Sequence, residues 1–534
     1  MNKSPHGRPQ VLAVHEIRAL LKRGFEALNA GRTDEAGACC KQILSLAPRT
    51  VEAHFLVGLI ATEDKLPKVA IQAFGSVTTL DPNHAAGWAH LARVFLRISQ
   101  PERAADAIES AIKAGTKDPM VQDLIGNVLS LLDDHHGAKE WYSQAVEKDP
   151  RSPAFNINLA GSLIFLGQLD EAKAALDRAL EISPNIPQAH WRKAGLRRAT
   201  DHSHLGKLHR LMKKFRRNPD ALAFAAYGAG KEHEDLGEWD EAFECFAKGA
   251  KAKRQVVEYD EAQEIKFFDT MRDVFTPEWA AREVPGADSD APIFIVGQPR
   301  TGTTLVERII TSHSMVHSAG ELQQIRMAIR RLADFDEEGL FPPTLLQAAA
   351  EVDPRKIGRS YMRLSKSKRG DLPRFVDKMP VNYLYVPIIA KALPKAKIIH
   401  LVRGPMDSCF SSFKQLFAQA YFHSYDLEEM ARHHVRYYRL MEYWRELLPG
   451  HFLDVKYEDV VSNMEQQARR IIDYLELPWE DACLEFHRQD HAVTTASAVQ
   501  VREKVHTRSV DRWRKYENQL RPMLDILRAE NIVT

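Results

Sequence analysis

The stretch Pro292-Ile-Phe-Ile-Val-Gly-Gln-Pro-Arg-Thr-Gly-Thr-Thr-Leu305 sets a turn of phosphate-binding composition directly after an apolar run. Ile293 to Val296 reads as a buried strand, and Thr303 onward as a helix. Between them Gly302 permits a tight turn. The first free N–H groups of the helix then face an anion, and the helix dipole favours negative charge there. Arg300, Thr301, Thr303 and Thr304 surround that point, and Arg300, Thr303 and Thr304 can add side-chain donors. A Walker loop would end Gly-Lys-Ser/Thr. Here Gly302 is followed by Thr303-Thr304, with no lysine. The loop therefore points to a 5′-phosphate ligand held without the usual magnesium–nucleoside-triphosphate machinery. A strand–turn–helix corner that binds nothing is the other reading of the same residues.

Three further segments carry candidate chemistry: Asp377-Lys378-Met379-Pro380, Leu401 to Ser411 with Arg403, Pro405 and Asp407, and Lys456-Tyr457-Glu458-Asp459. The elements that must position them alternate. Short apolar runs predict strands over 293–297, 374–378, 397–402 and 452–456. Amphipathic stretches predict helices over 303–312, 320–332, 406–419, 427–448 and 462–475. Such alternation argues for a parallel sheet covered on both faces, with ligands at the carboxyl ends of the strands. All four segments fall at or just after those ends. Taken as isolated residues, Lys378 also reads as a surface lysine before a turn, and Glu321 as a helix N-terminal glutamate favoured by the dipole.

The chain has 534 residues, enough for two to four domains, and 44% are hydrophobic, so sizeable cores can form. Its net charge of +1, from 73 basic and 72 acidic residues, gives no sign of wholesale nucleic-acid or membrane binding. The five cysteines (39, 40, 245, 409 and 483) form no CxxC pair and no zinc spacing, which points to a reducing compartment. Met1 to Gln10 is polar and lacks the apolar core of a signal peptide, and no run of about 18 apolar residues occurs. The default expectation is a cytoplasmic protein without a membrane span.

The N-terminal half repeats. Pro48, Pro82, Thr116, Pro150 and Pro184 recur every 34 residues. So do the small residues Gly24, Gly58, Ala92, Gly126, Ala160 and Ala194, and a second series Ala36, Ala70, Ala104, Ala138 and Ala172. Small residues let two helices of one unit approach closely, and the proline stops the second helix. This pattern resembles the tetratricopeptide repeat over roughly residues 15–250, with Asp-Glu-Ala at 34–36 and again within 169–172 and 239–242. His-Ser-His-Leu-Gly-Lys-Leu, near 200, departs from it. The resemblance implies an all-α superhelix serving as a platform for a protein partner or acceptor, or as a spacer or dimerisation arm. Trp88, Trp141, Phe155 and Trp191 read as packing residues. Residues 251–290, which mix a charged helical stretch with Pro277, Pro285 and Asp-Ser-Asp, read as a connector.

From 290 to about 520 the residues resemble the sulfotransferases that use 3′-phosphoadenosine-5′-phosphosulfate, nearest to the tyrosylprotein and glycan branch. The resemblance implies an α/β P-loop-like domain over 291–534, after repeats over 1–250. It implies that Arg300, Thr301, Gly302, Thr303 and Thr304 cradle the 5′-phosphosulfate. Arg403 and Ser411, eight residues on, would hold the 3′-phosphate. Tyr457, Ser497, Gln500-Val501 and Arg512-Trp513 would add contacts, the last three groups from a covering C-terminal segment. Gln415 stands where a second basic residue is expected. Sulfuryl transfer needs a cation beside the bridging oxygen and a base for the acceptor. Lys378 and Glu321 match those roles, with His313 and His317 as rival bases. His400, inside a predicted strand, reads as a core histidine. Arg432-His433-His434, with Arg436 and Arg439, reads as a solvated basic helix face rather than a zinc site, and Lys366-Ser-Lys368-Arg369 as a loop charge cluster. The expected activity is metal-free transfer of a sulfuryl group to a hydroxyl or amine acceptor. The alternatives are a non-catalytic repeat scaffold with a degenerate nucleotide-binding domain, and a P-loop kinase or hydrolase.

Overall fold

The computed structural model of the chain describes residues 12–335, 342–417, 420–489, 492–495 and 497–533. Met1 to Gln10, considered above for a leader, and positions 418–419 of the helix predicted over 406–419 lie outside them. The chain divides into two compact units, Met1–Pro184 and Asn185–Thr534.

The first unit is a run of helix pairs, from Val14–Asn29 with Thr33–Leu46 to Pro153–Phe165 with Leu169–Ile182. Each second helix ends two residues before a member of the Pro48–Pro184 series, at 46, 80, 114, 148 and 182. The small residues are there because their partners leave no room. A Cβ on Gly58 would lie 2.5 Å from the Phe74 ring, and one on Gly126 2.8 Å from Tyr142. Ala36, Ala70, Ala104, Ala138 and Ala172 are fully buried.

The second unit opens with four helices, Pro187–Leu196, Leu205–Lys214, Pro219–Leu236 and Trp239–Arg254. The compact division thus falls at 184/185, although the repeat pattern runs on toward 250. The physical reason is a shared core. Leu208, Ala226, Tyr227 and Phe246 pack in one cluster with Met406, Cys409, Phe410, Phe413, Trp513, Tyr516 and Leu524. The irregular stretch near 200 is held by His204, whose ring contacts His190 Nδ1 at 2.8 Å and Glu232 Oε1 at 2.6 Å. Residues 251–290 carry two helices, Glu261–Val274 and Pro277–Ala281. Phe267, Phe268, Met271, Phe275 and Trp279 from them are buried in the α/β core.

That core surrounds five parallel strands: β1 (Pro292–Gly297), β2 (Val316–Ser318), β3 (Arg374–Lys378), β4 (Lys397–Val402) and β5 (Phe452–Lys456), in the order β2-β3-β1-β4-β5. The four predicted strands are all present, and the three-residue β2 is added beside β3, with Val316 opposite Arg374. β1 lies in the middle, with Ile295 opposite Lys378 on one side and Ile399 on the other. The chain passes from β1 to β2 and β3 on one side and then crosses to β4 and β5 on the other, which makes the carboxyl end of β1 the switch point where such sheets bind ligands. All five cysteines are buried and free. Among the described residues no helix is long and apolar enough to cross a membrane.

Candidate active site

The turn after β1 takes two left-handed residues, Arg300 at φ 66° and Gly302 at φ 95°, before the helix Thr303–Thr311 begins. A Cβ on Gly302 would lie 2.6 Å from the Tyr457 ring, so the tyrosine after β5 roofs the turn. Thr301 does not face outward. It is 1% exposed, and its hydroxyl donates to Gln298 O at 2.7 Å, which locks the turn from inside. Thr303 and Thr304 are buried at the helix start, and Thr304 Oγ1 donates to Thr495 Oγ1 at 3.3 Å.

Two guanidinium groups converge here. Arg403, just past β4, donates to Arg300 O at 2.8 Å and to Ser509 O at 2.7 Å, and lies over the Tyr457 ring at 4.7 Å. Arg300 donates to Ser497 Oγ, and to Gln500 Oε1 at 2.8 Å. Burial, then the neighbouring charge of Arg403, push the Arg300 pKa down to about 10. The Nε of each is buried without a hydrogen-bond partner, and neither forms an ion pair with a carboxylate among the described residues. Asp407 ties the covering segment down. On the helix Pro405–Phe413, it accepts from the backbone N–H groups of Asp511 at 2.6 Å and Trp513 at 3.1 Å. Ser411 is half-buried on the same helix.

Arg512, expected in the covering segment, is engaged by a helix of the repeat type. Its Nε lies 3.3 Å from Glu234 on the helix Pro219–Leu236, and its guanidinium lies over the Trp239 ring at 5.6 Å. Glu234 also takes Lys414 at 2.5 Å and the Tyr516 hydroxyl at 2.8 Å. Burial raises the Glu234 pKa, but the charges of Lys414 and Arg512 outweigh it, so the net shift is downward. Gln415 turns its side chain to Leu416 O, and the basic residue of that turn is Lys414.

At the end of β3, Lys378 is 1% exposed and contacts Glu321, which follows β2. Its Nζ is also 4.0 Å from Glu307 Oε2, and Ser318 Oγ donates to Glu307 Oε1 at 2.8 Å. Glu307 was not among the sequence candidates. Its need for a partner follows from the structure, where its helix is buried on nearly every side. Burial raises the Glu307 carboxyl, and Lys378 opposes that shift. Asp377, facing the other way, accepts from Tyr361 OH at 3.0 Å, and burial pushes it up to about 8.

The histidines separate. His313 is buried, with Nε2 2.8 Å from Pro478 O and Nδ1 accepting from Met315 N, so it holds the chain together away from Lys378. His317 precedes Ser318 on β2 and therefore faces the other side of the strand, against Gly370. His400 is a core residue bridging Asp454 at 2.6 Å and Tyr437 OH at 2.5 Å. The helix Leu427–Leu447 corrects the reading of a solvated basic face. His433 and His434 are buried, and Arg432 and Arg436 pair with Glu261 and Glu264 from the supposed connector. Those carboxylates lie more than 160 residues upstream, outside any local spacing.

Residues 292–481 match the model of the sulfotransferase family, and residues 67–119 and 132–194 match tetratricopeptide-repeat models. An uncharacterized protein of Aquifex aeolicus is 31% identical over 400 residues, which cover 73% of this chain and 52% of that protein. This chain therefore spans about half the length of that relative. A putative protein-tyrosine sulfotransferase of Caenorhabditis briggsae is 25% identical over 227 residues, 41% of this chain and 80% of that protein. The omega-hydroxy-beta-dihydromenaquinone-9 sulfotransferase Stf3 of Mycobacterium tuberculosis is 25% identical over 267 residues, 38% of this chain and 68% of that protein. By its matched segments, this chain is a tetratricopeptide-repeat protein that carries a sulfotransferase-family domain.

Proposed function

We propose that the second unit transfers a sulfuryl group from 3′-phosphoadenosine-5′-phosphosulfate to a hydroxyl acceptor. One observation carries this reading. Arg300 and Arg403 stand half-buried side by side at a helix N-terminus, each with a buried, unpartnered Nε and neither paired to a carboxylate among the described residues. Two like charges held together and partly out of water without a counter-ion are costly, so the corner suits a polyanion. A donor with phosphate at both its 3′ and 5′ positions fits it. Backbone N–H groups of 302–304, with Thr303 and Thr304, take the 5′ end, and Arg300 spans the phosphosulfate. Arg403 and Ser411 take the 3′-phosphate, Tyr457 roofs the turn, and Ser497 holds Arg300. Arg512 acts through Glu234 rather than by reaching the donor.

Lys378 and Glu321 lie where the group would move. The acceptor oxygen forms the new bond to sulfur, and its proton goes to Glu321. The bond from sulfur to the 5′-phosphate oxygen breaks, with its electron pair remaining on the phosphate. The Lys378 ammonium meets that growing charge. Arginine, lysine and backbone N–H groups supply the positive charge, and no metal is invoked. The relatives' names place one on protein tyrosine and another on a menaquinone-derived lipid hydroxyl. A hydroxyl is their common acceptor chemistry, and the repeats serve as its docking platform.

Calorimetry with adenosine 3′,5′-bisphosphate, without magnesium, tests the site. We expect binding at least 10-fold tighter than for adenosine 5′-phosphate or ATP, with Arg403→Ala removing about 100-fold for the bisphosphate alone, on the order of 3 kcal/mol. Equal losses for bisphosphate and monophosphate would contradict the 3′-phosphate assignment. No binding by folded protein would favour the scaffold reading.

A further inference from the structure

We propose that Glu307 is a positioning residue for this transfer: it holds the Lys378 ammonium aimed and charged while Glu321 leaves it to take the acceptor's proton. The inference rests on the reaction proposed above.

Two carboxylates serve one lysine from opposite environments. Glu321 keeps 41% of its side chain exposed, so an acceptor can reach it, whereas Glu307 keeps 8%. Glu307 is anchored. The helix Thr303–Thr311 fixes its backbone, and the Ser318 hydroxyl takes Oε1, which leaves Oε2 turned to Lys378 at 4.0 Å. An anion tethered this way cannot follow the acceptor; Glu321, at the exposed end of the pair, can.

The order of events makes this matter. In the resting geometry Glu321 is the nearer counter-ion of Lys378. When Glu321 accepts a proton it becomes neutral, and the ammonium stands buried at the moment it must face the leaving phosphate. Glu307 is then the carboxylate within 4.0 Å. Other charged groups nearby do not replace it. Asp377 points to Tyr361 and holds its proton up to about pH 8. Arg308, next on the helix, donates to Gln489 O. Tyr421 feels Glu321, and burial raises its hydroxyl well above the ordinary range. Burial favours the neutral form of Glu307 and the Lys378 charge opposes that, so the anion depends on the lysine it faces.

The sign of the effect is fixed. Removing an anion beside a buried ammonium lowers the lysine pKa, so activity is lost at a lower pH. The test is the pH profile of kcat for Glu307→Gln against wild type, with radiolabelled donor and a tyrosyl peptide, or an ω-hydroxy isoprenoid if the peptide is not used. We expect the alkaline limb to move down by about one pH unit, with bisphosphate affinity within about twofold of wild type. Glu307→Asp, which keeps the charge, should restore most of the limb. A Glu307→Gln profile matching wild type, in an active and folded enzyme, overturns the inference and leaves the proposed reaction standing. If Glu307→Gln does not fold, Ser318→Ala replaces it. We then expect about threefold lower kcat with unchanged bisphosphate affinity, and unchanged kcat overturns the inference. Wild-type protein that turns over neither acceptor removes the proposed reaction, and this role with it.

Discussion

The arginine corner and the lysine corner lie at the ends of adjacent strands, yet they treat positive charge in opposite ways. Arg300 and Arg403 are half-buried together without a paired carboxylate among the described residues, and each keeps a buried, unpartnered Nε. Lys378 is buried between two carboxylates. A corner short of anions suits a ligand that brings its own. A corner supplied with them suits a cation that must be kept in place while charge moves past it. Lys414 and Arg512 form a third case, in which the cations share Glu234 from a repeat-type helix. Under the proposed reaction the contrast gives binding to the first corner, chemistry to the second and cohesion to the third.

The largest expected effect separates binding from chemistry. Lys378→Met should lower kcat by about 1,000-fold and leave the bisphosphate Kd within about threefold. If rate and affinity fall together, the division between the corners is lost. Next, Glu234→Ala leaves the half-buried Lys414 and Arg512 without their shared anion. Urea unfolding should show a loss of about 3 kcal/mol, and stability within 0.5 kcal/mol of wild type, the usual range for surface changes, would show that this cluster is not cohesive. Gly302→Ala must adopt φ 95° with its methyl against Tyr457. We expect about tenfold weaker bisphosphate binding, from strain of roughly 1–3 kcal/mol, with kcat at saturation little changed.

The smallest effect concerns Asp377. Burial pushes its carboxyl up to about 8, whereas an unfolded aspartate titrates near about 3.9. The folded chain therefore retains a proton that the unfolded chain releases. This contribution to stability is complete below about pH 4 and is lost as pH rises toward 8. Asp377→Asn should flatten that slope and leave the variant about 1 kcal/mol more stable than wild type at pH 8. Parallel melting curves from pH 5 to 8 for the two proteins would contradict the assignment.

The sequence made some of this legible and hid the rest for identifiable reasons. The four longer strands announce themselves as apolar runs bounded by turns, and the phosphate turn as a glycine between a strand and a helix. β2 has three residues, Val316, His317 and Ser318, too few to show a period. Helical character within 251–290 was legible, but its charges and prolines suggest a connector, whereas Phe267, Met271 and Phe275, four apart, bury that segment in the core. The ion-pair networks were not readable at all. Glu307 meets Lys378, and Glu261 meets Arg432, only after β3 and a distant helix have been brought together. Thr301 illustrates a subtler limit: its type suits a phosphate, but the hydroxyl closes the turn instead.

Asp407 has a consequence for how this domain can be divided. The family match ends at residue 481, but Asp407 clasps the backbone at 511 and 513, Arg403 holds Ser509 O, and Arg300 reaches Gln500. Glu234, 58 residues before the match begins, fixes Arg512. A fragment cut at the borders of the match would keep every strand and lose the clasp. Transplanting this chemistry to another scaffold would therefore require moving material from both sides of it.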